Sequence, residues 1–210
     1  MAGTSHNGFK RYLLRGVGAV VLACLAACAG QPLQAPPPLA SGVDAHRMSG
    51  QWFLIAHVPT AEERDQADSS IELVERQDGS FDELYHYFDR GTMQALVLPR
   101  SRYEPVAGSA NRWVSRSRAL GTQVELGVVY VDPDYRYIVI GATDRRLGWI
   151  YARQPDVESA TYGELVSHLG SAGYDVASLH RLPHSLAQAG RPQYLGASRD
   201  GTPYTGGAAP

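Results

Sequence analysis

The chain has almost no lysine and almost no cysteine. Lys10 is the one lysine among 19 basic residues, so nearly all positive charge is arginine, a planar fork of donors that suits carboxylates and aromatic faces. The two cysteines, Cys24 and Cys28, stand close together near the start, where they cannot staple the long chain that follows. Basic runs are missing as well, and the formal net charge is −2; a mildly acidic chain with no basic stripe is a poor candidate for a nucleic-acid partner. No Gly-x-Ser-x-Gly elbow is present, which removes the most recognisable hydrolase nucleophile. Apolar runs all fall short of the about 20 residues that a membrane-spanning helix needs.

What stands at the start is an address. Lys10, Arg11 and Arg15 form a basic segment without acidic residues, and Val17 to Ala27 is an apolar stretch of signal-peptide length. It ends in Leu25-Ala26-Ala27-Cys28, which resembles the bacterial lipobox, where the cysteine thiol is acylated and the chain is cut just before it. The resemblance implies a signal peptide over 1–27 and a lipidated Cys28. Ala29 follows where aspartate would retain a lipoprotein at the inner membrane, so the expected location is the outer membrane of the cell envelope. Removing such a leader takes Cys24 with it, leaving a folded unit without a disulfide.

Composition then divides the rest. Residues 28–42 carry Pro36-Pro37-Pro38 among alanines, the make-up of an extended tether. Residues 184–210 are Gly, Ala, Pro and Ser with scattered polar residues and no hydrophobic period, which predicts a disordered tail. Between them, 43–183 is one domain by size.

Within that domain, short strands alternate with turn signals. Trp52–Val58, Ser70–Arg76, Phe81–Phe88, Gln94–Val106, Arg112–Arg118, Gln123–Val131, Tyr135–Ala142 and Leu147–Arg153 make eight. Asp78-Gly79 is a strong hairpin turn, and Pro99 predicts a bulge or edge within the fourth strand because it has no N–H to give the ladder. Eight strands in up-and-down order close most simply into an antiparallel barrel, which leaves no free edge. After Pro155 the period changes: Asp156 is positioned as a cap, and Tyr162, Leu165, Val166 and Leu169 share one helical face. The expected fold is all-β, an eight-stranded up-and-down barrel with one C-terminal helix, about 156–170, on its outside. Ser178–Leu182 could add a ninth strand.

Three segments in order resemble the motifs of the lipocalin family, and among its members the bacterial outer-membrane lipoproteins. His46-Arg47-Met48-Ser49-Gly50-Gln51-Trp52 looks like the first motif, Asp132-Pro133-Asp134-Tyr135-Arg136 like the second, and Trp149-Ile150-Tyr151-Ala152-Arg153 like the third. Phe53 stands where tyrosine is usual, and His57 where arginine is common. In the barrel that this implies, Gly50, Trp52, Asp132, Tyr135 and Arg153 meet at the closed end. Trp52 plugs the base beneath the Arg153 guanidinium, a structural arrangement and not a catalytic one.

Alternation sets the expected interior. With Glu125 and Arg136 outward, Val124, Leu126, Val128 and Tyr130 face in on the sixth strand, Tyr135, Tyr137 and Val139 on the seventh, and Trp149 and Tyr151 on the eighth. These form the candidate ligand-binding wall. Arg116 and Arg145, near the open end, are the candidates for holding a carboxylate or phosphate head. The parity of His57 and His86 stays open. No metal, cofactor or catalytic residue is expected: Asp132-Pro133-Asp134 reads as a turn. The function so implied is reversible binding of a fatty acid, lysophospholipid or similar amphiphile. The chain would be held to the membrane by its anchor, and no oligomeric state is assigned. The alternatives are a structural or adhesive lipoprotein with a filled barrel and, more distantly, a lipid-modifying enzyme.

Overall fold

Strand alternation and frequent turn residues produce the expected closed sheet. The computed structural model describes residues 35–58, 63, 66–118, 121–189 and 194; the expected signal peptide over 1–27 and Cys28 lie outside the described residues. The strands are β1 (Gly50–His57), β2 (Gln66–Glu75), β3 (Phe81–Asp89), β4 (Gln94–Pro105), β5 (Arg112–Ser117), β6 (Gln123–Val131), β7 (Tyr137–Ala142) and β8 (Gly148–Ala152). Each pairs antiparallel with its neighbours in sequence, and β1 pairs with both β2 and β8, so the barrel closes. A two-residue strand, β9 (His180–Arg181), adds to β1 beyond the point where β2 leaves it. The Asp78-Gly79 turn forms as expected, with the Asp78 carboxylate accepting from the Ser80 N–H.

The apolar residues sort into two layers. Inside the barrel, Trp52, Leu54, Ile71, Leu73, Phe81 and Trp113 fill the lower half. Outside it, Ile55, Val139 and Ile150 pack under α1 (Ser159–Ser171), whose buried face is Leu165 and Leu169. The helix starts three residues later than the sequence suggests: Asp156 does not cap it, and Glu158 stands at the N-cap without a side-chain bond. Gly141 permits the close approach below the helix end, because a Cβ there would lie 2.2 Å from the Tyr174 hydroxyl oxygen. That hydroxyl donates to the Ala142 carbonyl at 2.9 Å.

Bulges decide which face a side chain takes, since one extra residue reverses the alternation that follows. Register shifts fall at Ile55 in β1, Val129 in β6 and Arg100 in β4, next to Pro99. The β6 bulge corrects the expected interior. Leu126 and Val128 face in, but Tyr130 emerges on the outside, stacked on His168 of α1 at 3.8 Å between centroids. On β7 the inward residues are Ile138 and Ile140, while Tyr137 and Val139 face the helix layer. The extrapolation from Arg136 was misplaced because Asp132–Arg136 is a turn, with Tyr135 at φ 55° and β7 starting only at Tyr137.

Two boundaries also shift. The end of the tether lies on the barrel: the Ala40 N–H donates to Val128 O (2.8 Å), and Asn111 Nδ2 donates to Ala40 O (2.8 Å). At the other end, His184 packs edge-on to Phe53 and lies 3.1 Å from both Asp68 Oδ1 and Leu54 O. A short helix, α2 (Leu186–Ala189), follows, and Tyr194 is buried beside Arg181. The expected disorder from 184 onward is thus corrected for these residues.

Candidate functional site

The closed end is built as a stack of capped turns. Trp52 is 1% exposed, its indole N–H donates to the Met48 carbonyl at 2.7 Å, and the Arg153 guanidinium carbon lies 3.7 Å from its ring centroid. Arg153 also donates to the carbonyls of Gln51 (2.7 Å), Arg47 (2.7 Å) and Ser49 (2.9 Å). Gly50, at φ 92°, turns the chain beneath this guanidinium in a conformation that side chains rarely adopt. Beside it the Asp44 N–H donates to the Tyr135 hydroxyl, Arg47 covers the Tyr135 ring, and the buried Asp132 carboxylate accepts from the Tyr137 N–H at 2.7 Å. These bonds and ring contacts hold the turns together.

The upper half of the barrel is hollow. A cavity of about 270 Å³ opens there with two unlike walls. Val124, Leu126, Ile140, Leu147 and Trp149 make the apolar side; Glu83, Arg100, Ser101, Ser115, Ser117 and Thr122 make the polar one, with Tyr103 and Tyr151 between. Below it the space narrows to about 20 Å³ among Ile71, Phe81, Trp113 and Leu126, so the base is filled by side chains.

Arg100 organises the polar wall. The bulge beside Pro99 turns it inward, its guanidinium lies 4.4 Å from the Tyr85 ring centroid, and Nη2 donates to Glu63 Oε1 at 2.7 Å. Burial works against its charge, but the Glu83 and Glu63 carboxylates outweigh that and raise its pKa. Glu83 is 3% exposed and accepts from the Tyr103 hydroxyl at 2.9 Å. Burial pushes its carboxyl pKa upward against the pull of Arg100, so Glu83 holds a proton more readily than an ordinary glutamate. The β1 bulge brings His57 inward too: it is 1% exposed, with Nδ1 3.8 Å from Glu63 Oε2. Burial lowers its pKa to about 4 despite Glu63, which leaves the ring neutral near pH 7. Its Nε2 has no partner among the described residues.

Of the expected ligand wall, Leu126, Trp149 and Tyr151 line this cavity, and Val128 is buried in the interior cluster beneath it. Tyr130, Tyr137 and Val139 do not reach it. The two expected head-group arginines are elsewhere as well. Arg116 lies on the outer face and donates through Nε to Glu104 at 2.7 Å. Arg145 turns to the end of α1 and donates to the Ala172 carbonyl at 2.8 Å, where a cation complements the helix dipole. It borders an outer groove of about 330 Å³ with Leu169 and Tyr174. Sequence reasoning missed Arg100, Glu63, Glu83 and Tyr103. The signal for Arg100 was Pro99, since a bulge there reverses the parity of the next residue. Among the described residues no group of three or more His, Cys, Asp or Glu side chains is arranged to hold a metal ion.

A closed antiparallel barrel, plugged below and hollow above, with one helix on its wall, is the architecture of a small-ligand-binding β-barrel protein. A family model describing a lipocalin-like domain matches residues 43–184, and the chain belongs to that family. Temperature-induced lipocalin-1 of Arabidopsis thaliana is 26% identical over 150 residues, covering 69% of this chain and 81% of the plant protein. The putative lipocalin R877 of Acanthamoeba polyphaga mimivirus is 23% identical over 147 residues, covering 67% and 85%. Among solved structures, the cockroach major allergen Per a 4 superposes with a TM-score of 0.54 at 12% identity, over 73% of this chain and 95% of the allergen; that likeness speaks for the fold alone. Family membership implies a small hydrophobic ligand in the barrel.

Proposed function

We propose that the protein is an outer-membrane lipoprotein, acylated at Cys28, that binds a fatty acid, lysophospholipid or similar amphiphile for lipid storage, transport or membrane maintenance. The observation that carries the ligand reading is the two-sided cavity. An acyl chain lies against Leu126, Ile140 and Trp149, while a polar head meets Arg100 and the hydroxyls of Ser101, Ser115 and Ser117. A cavity of about 270 Å³ lies just below the about 300–1,000 Å³ usual for a ligand site, so only part of a long chain fits inside. Titration of the full chain with fatty acids of increasing length tests this. Affinity rises by up to about 0.8 kcal/mol per methylene and levels off early; a flat, weak series rejects it. The anchor has its own test: Cys28→Ala releases the protein to a soluble fraction, and unchanged membrane association sinks that half of the proposal.

One observation favours a second reading. The lower barrel is packed solid by Trp52, Leu54, Ile71 and Phe81, each no more than 2% exposed, as in a lipoprotein that acts through its outer surface. A flat titration series selects that reading.

A further inference from the structure

The Arg100 guanidinium borders an open cavity, yet a carboxylate of the same chain already holds it. Glu63, from the β1–β2 connection, reaches into the barrel mouth, where its side chain is only 9% exposed, and accepts from Arg100 at 2.7 Å. Its second oxygen faces the neutral, buried His57 at 3.8 Å. Glu83, which accepts from Tyr103, lines the same cavity and acts on the guanidinium through its charge. This carboxylate–guanidinium pair has the chemistry that an anionic ligand head would form with Arg100.

We infer that Glu63 is the residue that sets head-group selectivity, acting as a resident carboxylate that an anionic ligand must displace from Arg100 and that a neutral one need not. The inference rests on the cavity being the ligand site. Its physical basis is charge accounting. With Glu63 in place, the guanidinium has a compensating charge, and an entering carboxylate exchanges one ion pair for another. It also leaves the Glu63 charge to be resolvated. A neutral head uses the serine hydroxyls and leaves the pair intact. The wild-type protein therefore gains little from a ligand's negative charge, although an arginine lines its cavity.

The test uses two probes with the same twelve-carbon chain, dodecanoate and dodecanol, titrated into the full-length protein at neutral pH. Glu63→Gln keeps the side-chain shape and removes the carboxylate that accepts directly from Arg100, which opens that hydrogen-bonding position to the probe. The expected result is about tenfold tighter dodecanoate binding, the ratio that corresponds to about 1.4 kcal/mol, with dodecanol unchanged within about twofold. Glu63→Ala acts in the same direction, and Arg100→Gln in the Glu63→Gln background returns dodecanoate to the dodecanol level. If Glu63→Gln shifts both probes alike, or weakens dodecanoate, Glu63 is a steric or structural element and the inference is overturned. If neither probe binds the wild type or any variant, the cavity is not the ligand site. That outcome overturns the proposed function and this inference with it, and it is distinct from binding without head-group selection.

Discussion

Arg153 and Trp52 meet face to face at the base of the barrel, 3.7 Å between guanidinium carbon and ring centroid, although nearly all of the barrel lies between them in sequence. Trp52 lies near the start of β1 and Arg153 just past the end of β8, so both strands enter this turn cluster. Trp52→Ala removes a fully buried aromatic and should cost about 3–5 kcal/mol. Arg153→Ala loses the ring contact and three carbonyl partners from a half-exposed position, for about 2 kcal/mol. Because the two side chains touch, a double-mutant cycle by denaturant unfolding should show coupling of about 0.5 kcal/mol or more. Additive losses would reject an energetic contact between them.

The parity of β7 makes a discriminating pair of variants. Ile140 borders the cavity, whereas Tyr137 lies on the helix side. Ile140→Glu should abolish binding of an acyl probe in a protein that still melts cooperatively. Tyr137→Ser should leave affinity within about twofold and lower the melting temperature instead, since it strips packing from beneath α1. The opposite outcome would mean that Tyr137 faces the ligand.

His57 predicts an acid sensitivity. Its folded pKa of about 4 lies below the ordinary 6.5, so between these values the unfolded chain takes up a proton that the native one refuses. Stability from this group is fully present above pH 6.5 and is lost as pH falls toward 4. Glu83, whose pKa is raised by burial, acts in the opposite sense, losing stability as pH rises above the ordinary glutamate value. Replacing His57 by Gln isolates the histidine: the variant's stability should fall less than the wild type's between pH 6.5 and 4. Parallel curves would show that His57 is not held neutral.

Gly141 should resist even a methyl group. The cost of Gly141→Ala is steric, since a Cβ would overlap Tyr174, whose hydroxyl holds the Ala142 carbonyl. The expected loss is about 1–3 kcal/mol, with faster hydrogen exchange in α1 as the helix end lifts from the wall. Unchanged stability and exchange would mean that Tyr174 moves aside without consequence.

The closed sheet was legible because its determinants are local. Alternation, Asp78-Gly79, and the change of period after Pro155 each act over a few residues, and eight strands with short connections leave few topologies besides closure. Gly50, Trp52 and Arg153 were legible as well, because up-and-down order brings the start of β1 and the end of β8 to the same end.

The cavity wall was decided by bulges. One extra residue at Val129 put Tyr130 on α1, one at Ile55 turned His57 into the mouth, and one beside Pro99 turned Arg100 into the cavity. A period-2 pattern fixes faces only while register holds. Where it slips depends on how a twisted barrel closes, which is a property of the whole sheet. By itself the sequence determined the strands, their order and the plugged base. Only the tertiary structure decided which charges share the interior, because Glu63, Glu83 and Arg100 come from three separate segments that close packing alone brings within reach of one another.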